Sequence, residues 1–312
     1  MPLKQTNLII IVILASLAGW VSGCAPTAKS TPPGPNTGKT TAGLTQTSPP
    51  QITLAPTPTE GPLAAKVNGE GIPLAVFDAS LKDYQAAQVE LGQKSTPDPT
   101  QQKKAVLDDL VDQVLLAQAA IQAGHPVDDA AVQARLAQLS AEAGGDQALA
   151  DWQNKNGYTA DSFKAALKIQ MTAAWQRNQI ISAVPTTADQ VHARQILVFS
   201  ASLADSIEQK LVSGSDFATL ALQYDPQTGG DLGWFPKGYL TQPEVEAAAF
   251  SLEAGKFSQV IHSKIGYHII LVIERDAKHT LSPDALQIFQ HQALQKWLDD
   301  QRSKAQIVVV AP

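Results

Sequence analysis

A single cysteine in 312 residues excludes a disulfide framework and any zinc site built on cysteine pairs. Charge is scarce as well, at 17% of residues with a net of −6. Nucleic-acid binding needs the reverse, clustered Lys and Arg that release counterions, so that class is set aside. The net value hides an asymmetry: residues 1–62 hold Lys4, Lys29 and Lys39 against Glu60, leaving −8 on the other 250. No apolar run reaches 18 residues, which excludes a multi-spanning membrane protein. No internal repeat is visible either.

What is present begins with an address. Lys4 supplies a positive start, Leu8 to Ala15 is unbroken hydrocarbon, and Ser22 and Gly23 are the small residues before Cys24. That is the layout of a secretory signal. Val21-Ser22-Gly23-Cys24 resembles a bacterial lipobox, which implies cleavage before Cys24 and acylation of its sulfur. Two or three acyl chains anchor stably where one does not. Residues 25–62 follow with nine prolines and ten threonines in 38 positions, too little apolar surface to offset ordering entropy. As a coil this segment spans roughly 35 Å, and about 120 Å drawn out as polyproline II. The expectation is a signal over 1–23, a tether over 24–62, and a body held at the outer face of a cell membrane.

The body starts at Leu63. Residues 64–67 read as a strand running into the turn Asn68-Gly69, and Pro73 opens a helix reaching about Gly92. Asp98-Pro99-Thr100-Gln101 is a helix start, with Asp as N-cap and Pro in the first turn. Val106, Leu107, Leu110, Val111, Val114, Leu115 and Ile121 then recur at helical spacing until Gly124 and Pro126. Further helices are expected over 128–143, 146–156 and 159–183, the last with Phe163, Leu167, Met171 and Trp175 on one face.

Composition then shifts. Residues 192–198 are β-rich, 203–212 and 217–224 read as short helices, and Gly229-Gly230 marks a turn. A helix near 244–250 precedes strands over 257–262 and 267–273, the pattern of a small α+β domain. A last helix spans about 282–304, and 307–310 forms a strand whose natural partner is the lone strand at 64–67. That pairing would make the α/β segment an insertion in the helical region.

Four phrases in this insertion occur in order: Ala193-Arg194-Gln195-Ile196-Leu197-Val198; Gly214-Ser215-Asp216-Phe217; Gly229-Gly230-Asp231-Leu232-Gly233-Trp234-Phe235 with Lys237-Gly238; and Gly266-Tyr267-His268-Ile269-Ile270. Together they resemble a parvulin-type peptidyl-prolyl isomerase domain over 189–276. The flanks, through Val67-Asn68-Gly69 with Ile72-Pro73 and Gly157-Tyr158-Thr159 leading to Phe163, are similar to the helical chaperone domains of the PrsA and SurA foldases. The fold class implied is α+β: a parvulin-like α/β domain inserted in an all-helical SurA-like domain, with 63–188 and 277–312 forming the helical part.

Turning a prolyl bond breaks no covalent bond; it removes amide resonance behind a barrier near 20 kcal/mol. An apolar cup for the ring and polar groups around the twisting amide suffice, and neither metal nor cofactor is implied. By resemblance the polar groups are Gln195, where the family has histidine, Asp225 before the Gly-rich turn, and His268. His192, three residues earlier, does not simply replace Gln195. The cup would use Leu232, Leu240, Val245 (at a position usually phenylalanine) and Ile265. His262 and His268 have no third ligand in view, so a metal is not expected. The partners implied are unfolded or newly secreted proline-containing chains, with the membrane reached through Cys24. Two functions follow: an anchored isomerase, or a non-catalytic holdase on a degenerate parvulin scaffold, favoured by Gln195 and Val245.

Overall fold

The computed structural model describes residues 61–90 and 98–310. The expected signal, Cys24 and all of the tether before Gly61 lie outside the described residues. The described residues form two compact units, one made of those up to Gln176 with those from Gln301 onward, the other of Arg177–Asp300. The second unit takes in more chain on both sides than the motif span 189–276.

In the first unit, strand β1 (Leu63–Val67) turns at Asn68-Gly69 into β2 (Glu70–Pro73) and also pairs antiparallel with β7 (Ile307–Val309). The strand order is β2-β1-β7. Residues 65–67 and 307–309, far apart in sequence, therefore meet, with Lys66 opposite Val308. Helices α1 (Leu74–Glu90) and α2 (Pro99–Gln122) cover this sheet. Asp98 caps α2 by accepting from Thr100 N at 2.8 Å. The helical stripe of α2 is buried as its spacing requires, Val106, Leu110, Val111, Val114 and Leu115 packing on Val67, Ile72 and Phe77. Each such side chain contributes about 1.5–3 kcal/mol on burial.

Helices α3 (Asp129–Ala143), α4 (Asp146–Lys155) and α5 (Ala160–Ser182) build a second core of Val132, Leu139, Leu149, Trp152, Phe163 and Leu167. Tyr158 joins it against Trp152 and Phe163, and burial pushes its phenol up to about 12. The final helix α9 (Pro283–Lys304) ends in this unit, where Arg302 donates to Asp112 Oδ1 (2.6 Å), Asp108 Oδ1 (3.2 Å) and the Asp108 carbonyl (2.8 Å).

The second unit is a four-stranded antiparallel sheet of order β4-β3-β6-β5. Its strands are β3 (Thr187–Val198), β4 (Asp231–Pro236), β5 (Ile261–Ser263) and β6 (Gly266–Thr280). Three features depart from the sequence reading. Residues 231–236, assigned no element from the sequence, form β4, because Phe235 is fully buried and anchors it. The strand expected over 257–262 shrinks to β5, with only a bridge from Phe257 to Leu271 before it. The central strands run further than their apolar cores. Their polar ends pair through Arg275 on Asp189 (2.6 and 3.1 Å) and Gln190 Nε2 on the His279 carbonyl (2.8 Å). Helices α6 (Ala201–Val212) and α7 (Phe217–Tyr224) pack on one face, with Ile196, Val198 and Ile269 beneath them. Helix α8 (Pro243–Ser251) packs on the other, against Val191, Ala193, Ile270 and Val272.

Candidate functional site

Alternation along a strand sends residues i and i+2 to one face. On β3 this groups Val191, Ala193, Gln195 and Leu197; on β6 it groups His268, Ile270 and Val272 with them, since Leu197 opposes His268 and Gln195 opposes Ile270. Gln195 and His268 are thus diagonal neighbours on the α8 face, within reach of a long side chain. His268 Nδ1 lies 3.0 Å from Gln195 Oε1, and His268 Nε2 lies 2.7 Å from Ser263 Oγ.

The donors in this chain follow from chemistry. An amide oxygen only accepts, so Nδ1 carries the proton. His268 is 1% exposed, and burial holds its pKa below the usual imidazole value, against a weaker opposing pull from the Glu244 carboxylate. The ring is therefore neutral, Nε2 accepts from the Ser263 hydroxyl, and Ser263 Oγ in turn accepts from Ile265 N–H at 3.1 Å. Both ring nitrogens are satisfied without a charge. Ser263 was not singled out in the sequence. The signal for it was register: Ser263 opposes Gly266 in the β5–β6 hairpin, which places it on His268's face.

Two glycines make the arrangement possible. Gly230 (φ +72) presses its backbone against Gln195, whose N–H donates to the Gly230 carbonyl at 2.8 Å; a Cβ there would fall on the Gln195 carbonyl oxygen. Gly266 (φ +144) does the same on β3, where a Cβ would come within 2.7 Å of the Val198 carbonyl oxygen.

The apolar side of the site is built around α8. Val245 is 2% exposed and lies in one cluster with Val191, Ala193, Phe235, Ala249 and Ile270, while Leu232 and Leu240 are half-buried against it. Val245 is therefore a floor beneath Leu232 and Leu240 rather than a platform open to solvent. Leu232 is the extra residue of a β-bulge, since Ala193 pairs with Gly233 but Arg194 with Asp231; bulges re-aim a side chain in this way. Ile265 stands apart, 46% exposed in the β5–β6 turn and tied to the site only through its N–H on Ser263.

Asp225 does not join the polar pair. Its carboxylate accepts from Gln227 N (3.2 Å), Thr228 N (3.2 Å), the Thr228 hydroxyl and Gly230 N (3.3 Å). The Thr228 hydroxyl, followed by its backbone N–H, holds the Asp225 pKa below the usual carboxylate value. This is a turn-closing role, linked to Gln195 only through the Gly230 backbone. His192 lies on the opposite face, its Nε2 2.9 Å from Asp231 Oδ1. Among the described residues no group of three His, Cys, Asp or Glu side chains is arranged to hold a metal, and no helix is long and apolar enough to cross a membrane.

Residues 180–274 match the family model of the PPIC-type PPIASE domain, and residues 57–167 that of the SurA-like N-terminal domain. The chain is 47% identical over 85 residues to the foldase protein PrsA of Caldanaerobacter subterraneus subsp. tengcongensis, covering 26% of this chain and 28% of that one. It is 35% identical over 153 residues to the chaperone SurA of Nitrosospira multiformis, covering 42% and 34% respectively. The matched stretches thus span about a third or less of these curated relatives. A crystal structure of the peptidylprolyl isomerase PrsA from Bacillus cereus aligns over 75% of this chain and 84% of its own, at 25% identity and a TM-score of 0.42.

Proposed function

We propose, from residues 180–274 that match a PPIC-type PPIASE domain and residues 57–167 that match a SurA-like N-terminal domain, that the chain is a peptidyl-prolyl cis-trans isomerase acting on unfolded secreted chains. The observation that carries this reading is the Gln195–His268–Ser263 chain on the same sheet face as Leu232 and Leu240. A proline ring would lie on the two leucines over Val245. The Gln195 side-chain oxygen accepts from His268, and among the described residues no hydrogen bond from its NH2 is seen. It is the donor available to the imide as the C–N bond twists and amide resonance is lost. Neutral His268 fixes that amide's orientation, and Ser263 fixes the imidazole. No group in this chain has to gain or lose a proton during the turn. Anchoring through acylated Cys24 and display outside the cell membrane on the Pro- and Thr-rich tether belong to the same proposal, as do Asp225 and Ile265 as more distant supports.

The test is exchange NMR of an Ala-Leu-Pro-Phe peptide with the purified protein. Cis–trans exchange faster than in buffer is expected; no acceleration favours the second reading, a holdase that binds chains without turning them. That alternative draws on Val245, a buried aliphatic residue where the resemblance implies phenylalanine, and on the glutamine at position 195. For anchoring, Cys24→Ser is expected to release the protein to the soluble fraction. Unchanged membrane fractionation of the variant would count against acylation.

A further inference from the structure

The loop between β4 and α8 carries Leu240, one of the two half-buried leucines of the apolar patch, and it has no strand partner of its own. Unpaired backbone N–H groups in such a loop need acceptors. Three successive ones converge on a single carboxylate: Gly238 N–H donates to Glu246 Oε1 at 2.7 Å, and Tyr239 and Leu240 N–H donate to Glu246 Oε2 at 3.0 Å each. Glu246 stands in the first turn of α8, where a carboxylate commonly caps its own helix. Here it is spent on the preceding loop, and Gln242 at the N-cap position makes no side-chain cap bond. Charge-assisted bonds of this kind are about twice as strong as neutral ones. The far side of the loop is held from α9, whose Gln292 Nε2 donates to the Gly238 carbonyl at 3.4 Å.

We propose that Glu246 is a positioning residue for proline recognition. It fixes the 238–240 backbone so that Leu240 stays seated over Val245, one residue before Glu246 on α8, and it acts on the client only through Leu240. The proposal rests on the isomerase reading, since it concerns the same apolar patch. Its chemistry is independent of the Gln195–His268 pair, so it acts on how well a proline is held rather than on how fast the held bond turns.

The experiment uses the full chain and an Ala-Leu-Pro-Phe peptide, with Kd from fluorescence anisotropy and kcat and KM from exchange NMR. Glu246→Ala is expected to raise Kd and KM about tenfold while kcat stays within about twofold. Glu246→Gln keeps one accepting oxygen and the side-chain shape, and is expected to fall between the two. Leu240→Ala should weaken binding to a similar degree. The double variant should be no worse than Leu240→Ala alone, because Glu246 then has nothing left to position. Additive losses, or unchanged Kd in Glu246→Ala and Glu246→Gln, overturn the positioning role while leaving the isomerase reading intact. Wild-type protein that neither binds nor turns the peptide overturns both.

Discussion

His268 and His192 lie on the two faces of one sheet, each with a polar partner at about the same distance, 3.0 Å for Gln195 and 2.9 Å for Asp231. Their physics differs. His268 is buried, neutral, and held at both nitrogens by groups that carry no charge. His192 is partly exposed beside a carboxylate, and it forms one edge of an aromatic row with Trp234, which stacks on His279 at 4.1 Å. Burial raises the Asp231 pKa, but the Gly233 N–H, His192 and Arg194 outweigh it and hold the carboxyl low. One face has assembled a desolvated relay beside an apolar patch, the other a partly solvated contact between an imidazole and a carboxylate. His192 precedes Gln195 by three positions, and an odd spacing on a strand puts them on opposite faces. A histidine near the expected position therefore cannot do the work of one at it.

The largest effect is expected where the relay is propped from behind. Gly230→Ala combines a positive φ with a clash on the Gln195 carbonyl, and should cost about 3–5 kcal/mol. Gly229→Ala, which meets only the Leu222 side chain at 3.3 Å, should cost about 1–2 kcal/mol from backbone strain. Urea denaturation followed by tryptophan fluorescence separates the two, and equal losses would mean the close approach at Gly230 is not structural.

Next come the two histidines. His268→Ala leaves a cavity and strands Gln195 and Ser263, with an expected cost of about 2–4 kcal/mol. His192→Ala removes a solvated pair and should cost under about 1 kcal/mol. Calorimetry on both variants checks the contrast. A smaller penalty is expected for Val245→Phe, about 1–3 kcal/mol, because the position is a packed floor that a larger ring overfills. A gain in stability there would mean the patch holds more room than its burial indicates.

The last of these comparisons is set by pH. Burial lowers the folded pKa of His268 from 6.5, so the unfolded chain binds more protons just below that value. The relay's contribution is complete above the unfolded pKa and is lost as pH falls below it. Wild type should lose more stability than His268→Gln between about pH 7.5 and 5.5, measured by urea midpoints.

Much of this was legible in the sequence. The α2 stripe, the capping by Asp98 and the meeting of residues 64–67 with 307–310 follow from periodicity, cap chemistry and the need of an edge for a partner. The four ordered phrases contain Gln195, Leu232 and His268, which the fold brings to one sheet face; Leu240 and Val245 join them from the following loop and helix. What was not legible has physical reasons. Residues 231–236 contain Gly233 and Pro236, which read as turn, yet a buried Phe235 outweighs them. The outer ends of β3 and β6 lack apolar alternation and are held by Asp189–Arg275 instead. Asp225 had the right residue type, but its oxygens close their own turn. Ser263 and Glu246 carry no local signal, since each acts through a contact that only register and loop geometry create.

The most direct measurement is the cis–trans exchange rate of a Leu-Pro peptide by NMR with wild type, Gln195→Ala and His192→Ala. The expected result is catalysis by wild type, a loss of about tenfold or more in Gln195→Ala, equivalent to about 1.4 kcal/mol of barrier, and a rate within about twofold of wild type in His192→Ala. Catalysis that survives Gln195→Ala but collapses in His192→Ala would put the site on the other face of the sheet, and contradict the relay.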